Sequence, residues 1–146
     1  MYHIITSILE YNENSPILVY RGIGDKVNYT YGGSDNGMGT FYTDNIIMAK
    51  WFAGLIEYNP EIEDYEKTSN SGKLISKKIN FKKPYIINSD NEDYDSFQLY
   101  MDEIKYSGGV KKYKNILLNK KHDGIILKNN NTNYYKEGNY NIYIIF

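Results

Sequence analysis

Arg21 is the only arginine among the 17 basic residues of the chain. Its guanidinium is a planar fork of five donors, a shape that lysine cannot copy. It ends the apolar run Ile17-Leu18-Val19-Tyr20 and is followed directly by Gly22. Two roles are open for it here: a surface ion pair at a strand end, or a clamp on a ligand. Further along, Gly39-Thr40-Phe41-Tyr42-Thr43 sets two aromatic rings side by side. Side chains alternate along a strand, so one of the two rings must face inward. The acids close to the later apolar segments are Asp123, in an Asp-Gly turn, and Glu137, in a polar loop. His122 next to Asp123 is a poor acid–base pair, because neighbours on a strand point to opposite faces. Zero cysteines and two histidines, His3 and His122, leave no thiolate site and no histidine cage, so no metal is expected.

The elements that must position these residues follow from pattern. Residues 17–21 are a short buried strand after Pro16, running into a Gly-, Asn- and Asp-rich surface loop between Gly22 and Gly39. Residues 39–43 are a brief extended piece. Asp44 or Asn45 can cap a helix whose apolar face is Ile47, Met48, Trp51, Phe52, Leu55 and Ile56. Trp51 and Phe52 are expected in the core. Residues 57–72, with five acids, read as a solvated loop. Strands are expected at Leu74–Phe81 and Tyr85–Ile87, and a helix from Asp95 or Ser96. Gly108-Gly109 breaks that helix, and a further one runs to about Lys120. Asp123-Gly124 turns into a strand at Ile125–Leu127, Asn129–Asn133 is a hairpin loop, and Asn141–Phe146 is a last apolar strand.

Composition narrows the class. The 146 residues suit one domain, 1–146, with a real core. Seventeen Lys+Arg against eighteen Asp+Glu leave a formal charge of −1, which disfavours nucleic acid as a partner. The abundance of Tyr, Asn and Ile with a single Arg is the mark of an AT-rich coding sequence. The 17 tyrosines are therefore not read as stacking platforms. No apolar run approaches the ~18 residues of a membrane-spanning helix. The first ten residues lack the basic flank of a secretion signal. A cytoplasmic location without membrane contact is the expectation.

Three pieces taken in order carry a resemblance. They are Val19-Tyr20-Arg21-Gly22; then Gly37-Met38-Gly39-Thr40-Phe41-Tyr42-Thr43-Asp44-Asn45, followed by Ala49, Trp51, Phe52 and Ala53; then Ile79–Asn88, His122–Ile126 and Asn141–Phe146. This pattern resembles the ADP-ribosyltransferase fold, closest to the small bacterial and phage versions that also occur inside phage polyvalent proteins. The resemblance implies an α+β domain with a split β-sheet core and flanking helices, and NAD as co-substrate. It implies that Arg21 grips the nicotinamide side of NAD and that Gly22 offers backbone groups to the carboxamide. Phe41 takes the place of the ring that stacks on nicotinamide, usually Tyr. Thr43 holds the loop in place, with Tyr20, Gly39, Thr40 and Tyr42 completing the cofactor wall. Ile142 stands where the family usually carries a catalytic Glu. By this resemblance the catalytic group is Arg21, Phe41 and, as a substitute acid, Glu137; Asp123 is the other acid within the region, and Lys26 is one candidate for the diphosphate.

Cleaving the nicotinamide–ribose bond builds positive charge on the ribose, so a clamp on the leaving group and a carboxylate near the ribose both help. With Ile142 in place of Glu, polymer extension is not expected. Single transfer to a protein acceptor, and loss of catalysis, both stay open. The implied function is an NAD-dependent mono-ADP-ribosyltransferase that modifies a host or competitor protein, in the manner of a phage anti-defence effector. The alternative is a degenerate domain of the same fold that inhibits its partner by steric blocking.

Overall fold

A computed structural model describes residues 16–24, 37–69, 71–91, 93–130 and 139–146. Glu137, Lys26 and His3 lie outside the described residues, as does most of the expected Gly-rich loop. The strands are β1 (Ile17–Gly24), β2 (Thr40–Thr43), β3 (Ile56–Asn59), β4 (Asp64–Lys67), β5 (Gly72–Ile79), β6 (Pro84–Asn88), β7 (Gly124–Asn130) and β8 (Tyr140–Ile145). The helices are α1 (Ile46–Phe52), α2 (Ser96–Tyr106) and α3 (Val110–Asn119). Six strands form one mixed sheet in the order β5-β1-β2-β8-β7-β6, while β3 and β4 form a separate hairpin. The β6–β7 pair is parallel, as the intervening α2–α3 crossover requires, and the other pairs are antiparallel.

One connection shapes the sheet. β5 and β6 sit at opposite edges, yet only residues 80–83 join them. Laid flat, six strands would put those edges about 24 Å apart at ~4.8 Å per spacing. The five residue steps from Ile79 to Pro84 span at most ~18 Å. The sheet must therefore curl. Val19, Ile79, Phe81, Ile86, Ile126 and Tyr143 fill one of its sides as a core of their own. The other side packs Phe41, Ile87, Ile125, Leu127, Ile142 and Ile144 against Tyr100 and Ile104 of α2 and Tyr113 and Leu117 of α3. Sequence neighbours such as Ile86 and Ile87, or Ile125 and Ile126, thus serve different cores, which is why β6, β7 and β8 read as continuous apolar runs. Glu103 ties the helical layer together. Its Oε1 accepts from the Tyr85 hydroxyl of β6 at 2.8 Å and from the Tyr113 hydroxyl of α3 at 2.9 Å.

The short crossover is pinned to the start of β7. Asp123 takes the backbone N–H groups of Lys82 (2.7 Å) and Lys83 (3.1 Å) on its two carboxylate oxygens. Its own N–H donates to the Lys83 carbonyl. His122 is buried beside it, Nδ1 lying 3.2 Å from the same carbonyl, with its ring edge-on to Tyr85. Phe81 lies over Gly124, where a Cβ would come within 2.2 Å of the Phe81 ring and 2.4 Å of the Ile144 carbonyl oxygen.

Four expectations are corrected. Trp51 and Phe52 are half-buried rather than core residues, and the loop expected at 129–133 does not begin at Asn129, because Asn129 and Asn130 still belong to β7. The helix after Asn45 does not extend to Leu55 and Ile56; it ends at Phe52, because Gly54 adopts φ +71° just beyond it and turns the chain away. Residues 57–72 are not a loop throughout. β3 and β4 pair from Ile56 opposite Lys67 to Asn59 opposite Asp64, and Tyr58 packs edge-on against Tyr65 at 5.5 Å. The acids that suggested a loop occupy exposed positions of that hairpin, where water solvates them.

The Gly124→Ala variant should lose roughly 1–3 kcal/mol of stability, as overpacking against fixed backbone does, measured by urea denaturation. Burial lowers the pKa of His122, reinforced by the Lys83 and Lys120 charges and opposed by the Lys83 carbonyl and Asp123. The unfolded chain therefore binds a proton at this site more readily than the folded one, and stability should fall as pH drops below about 6.5. Thermal denaturation between pH 5 and 8 should show a weaker acid dependence in His122→Gln than in the parent.

Candidate functional site

The sheet has one thin joint. β1 is paired with β5 along its length, from Ile17 opposite Ile79 to Gly24 opposite Gly72. β2 is paired with β8 from Thr40 opposite Ile145 to Thr43 opposite Ile142. Between β1 and β2 the register, among the described residues, consists of Tyr20 opposite Thr43. The split expected within the sheet is in this structure a seam inside one hydrogen-bonded strand order. Arg21 crosses it: its Nη1 donates to the carbonyl oxygen of Phe41 at 3.1 Å.

The β2 side is held firmly. Thr43 is buried; its hydroxyl donates to the Asn141 carbonyl at 2.8 Å and accepts from the Asn45 N–H at 3.2 Å. Asn45 then caps α1 by accepting from the N–H groups of Ile47 (3.0 Å) and Met48 (3.1 Å). Asp44 accepts from the Asn141 N–H at 2.9 Å, and desolvation raises its pKa against the lowering effect of that bond. One turn of chain thus fixes β2 to β8 and starts the helix that covers the seam.

On the β1 side, α1 crosses so closely that Gly22 has no room for a side chain: a Cβ would stand 2.2 Å from the Ala49 oxygen and 2.5 Å from the Ala53 Cβ. Glycine is needed at this close approach, and the small Ala49 and Ala53 face it.

A cleft of about 20 Å³ lies in this seam. Tyr20, Arg21 and Gly22 line it from β1, and Phe41, Tyr42 and Thr43 from β2. Ala49 and Phe52 close it from α1, and Ile142 from β8. That volume holds about one water molecule, so a ring-sized ligand requires the seam to widen. Phe52 is itself braced edge-on by Trp51 and Tyr140. Among the described residues, no carboxylate lines the cleft.

Seven residues singled out from the sequence meet here: Tyr20, Arg21, Gly22, Phe41, Tyr42, Thr43 and Ile142. They do not meet on one face. The Tyr20–Thr43 register and strand alternation place Tyr20, Gly22, Phe41, Thr43 and Ile142 toward the helices, and Arg21 and Tyr42 on the other side. Phe41 is 5% exposed and its ring is edge-on to Tyr100, so it is a core ring with one edge at the cleft. Tyr42 carries Lys77 Nζ over its ring at 5.9 Å. Gly39 and Thr40 lie beyond the cleft, against β8 near Ile145. Asp123 is bound by the crossover amides at the far end of β7, where Gly124 pairs with Ile145; Leu127 is the β7 partner of Ile142. It is a turn-fixing carboxylate, about 13 Å along the strand from the level of Ile142 at ~3.3 Å per residue.

Sequence reasoning missed the roles of Ala49 and Phe52 as a cover of the cleft. The available signal was the glycine at Gly22 together with the i, i+4 spacing of Ala49 and Ala53, which lets a helix approach a strand closely.

No protein-family model, no curated protein and no solved structure matches the chain.

Replacing Thr43 by Val keeps the shape but leaves the Asn141 carbonyl and the Asn45 N–H without their partner. The expected cost is about 1–3 kcal/mol, with lower helix content at α1, measured by chemical denaturation and circular dichroism.

Proposed function

We propose that the seam is a nicotinamide-nucleotide site of the ADP-ribosyltransferase kind. The observation that carries this is the convergence of a lone arginine, a side-chain-free strand position and aromatic edges on one cleft beneath α1. In this reading Arg21 clamps an oxygen of the nicotinamide half, Gly22 offers backbone groups at close range, and Tyr20 and Phe52 flank the ring. Phe41 contributes an edge from the core rather than an open stacking face.

Ile142 presents an apolar side chain where a carboxylate would stabilise positive charge on the ribose. Transfer is then a single event in which the protein acceptor brings its own carboxylate, and chains of ADP-ribose do not form. The absence of an acid among the described residues of the cleft favours a second reading as well: a domain that binds its ligand, or a protein partner, without turnover. An inhibitor that acts by blocking another protein fits this second reading.

Titration calorimetry with NAD tests the site. The parent should bind, and in stopped-flow measurements NAD should leave Arg21→Ala about 10-fold or more faster, the loss of one charge-assisted hydrogen bond in the complex. Mass spectrometry of candidate acceptors incubated with NAD then separates the readings: single ADP-ribose additions mark the enzyme, binding without additions marks the blocking domain. Equal dissociation rates of NAD from parent and Arg21→Ala would remove Arg21 from the site.

A further inference from the structure

We propose that Arg21 is a latch on the β1–β2 seam, and that a ligand enters the cleft only when its own acceptor oxygen takes the guanidinium from the Phe41 carbonyl. The proposal deepens the nicotinamide-nucleotide reading and rests on it for the identity of the ligand, but the latch itself is a property of the empty protein.

Four observations lead to it. The cleft, about 20 Å³, admits water and no ring. It is bounded on both sides by strands that cannot themselves give way: β1 is zipped to β5 over its length, and β2 is zipped to β8 and tied again through Thr43 and Asp44 to Asn141. The joint between these two units has a single registered pair among the described residues, Tyr20 with Thr43. At that joint the Arg21 Nη1–Phe41 oxygen bond takes the place of a backbone rung.

Separation of the β5–β1 unit from β2 enlarges the cleft along the seam, beneath the cover of Ala49 and Phe52. The contact of β1 with α1 must part as well, and at Gly22 it is a close backbone approach to Ala49 and Ala53 with no side chain interlocked. The guanidinium bond is the directional element that must break. Its donor is also the group best suited to bind an incoming oxygen, since arginine offers several donors in a fixed fork. Closure on Phe41 and ligand capture thus compete for one group. A ligand that satisfies Arg21 holds the seam open, and an empty site recloses on Phe41. Affinity is reduced by the fraction of time the seam is closed, which makes the latch a brake on ligands that fill the ring pocket without offering an oxygen.

The chain has no cysteine, so an introduced thiol is a clean probe. Ile142→Cys places one at the cleft, where Ile142 is 5% exposed, and Ile125→Cys places a control in the interior of β7, where Ile125 is 0% exposed. Labelling with a thiol reagent in the absence of any nucleotide reads local opening. In an Arg21→Met background, which keeps the stem and removes the donors, labelling at Ile142→Cys should accelerate about ten-fold or more while the Ile125→Cys rate stays the same. Hydrogen exchange of the Arg21→Met protein without introduced thiols is the second measurement, with faster exchange expected in residues 18–23 and 40–43 against unchanged β7. Equal rates in both backgrounds, or equal acceleration at both thiols, would overturn the latch. Failure of NAD to bind the parent, with the seam still opening in Arg21→Met, would overturn the nucleotide reading and leave the latch standing.

Discussion

The structure depends on the shortness of one connection. Residues 80–83 must carry the chain from one edge of a six-stranded sheet to the other, and an extended segment of that length cannot cross a flat sheet. The sheet curls, and its two sides acquire separate cores. Ordinary antiparallel sheets can leave one side to water; here β6, β7 and β8 are apolar on both. The corner where the crossover lands is correspondingly crowded, with Asp123 binding backbone amides, burial lowering the pKa of His122 and Phe81 seated on Gly124.

The seam follows from how the rest is bound. β1 with β5 is a long two-stranded ribbon, and such ribbons twist strongly. β2, β8, β7 and β6 form a sheet under two helices. The two units share little register, and the chain bridges them with α1 and with a side chain. Where backbone rungs between them stop, the Arg21 guanidinium substitutes, while the Thr43 hydroxyl, the Asp44 carboxylate and the Asn45 cap hold the β2 side to β8 and to α1. That substitution is what makes the seam a candidate site. A backbone rung offers nothing to a ligand once broken, whereas a guanidinium released from a carbonyl is a strong donor.

Much of the secondary structure was legible in the residues. β1, β2, β6, β8 and the two longer helices follow from apolar runs, Asp95 and Asn45 as caps, and the Gly108-Gly109 break. The hairpin of β3 and β4 was not, because its acids are exposed, none of its residues is fully buried, and its cross-strand contact of Tyr58 with Tyr65 joins residues distant in the local pattern. Period-2 hydrophobicity appears only where one face is buried. The end of α1 was also misplaced, since Leu55 and Ile56 continue its apolar spacing while Gly54 ends it through backbone conformation alone.

By itself the sequence determined which residue types were on offer: one arginine beside a glycine, an aromatic strand ending in a capping turn, an apolar isoleucine in the last strand, and neither thiol nor histidine cluster. Those are properties of composition and local spacing. Only the tertiary structure decided which of them share a cleft, that Arg21 reaches it from the face opposite Phe41 and Ile142, and that Phe41 is held by Tyr100. It also assigned Asp123 to the crossover rather than to the cleft. Strand alternation sets the face of each residue relative to its own neighbours, but register between strands distant in sequence sets which faces coincide. That register appears only once the strand order is known, as does the curl imposed by four connecting residues.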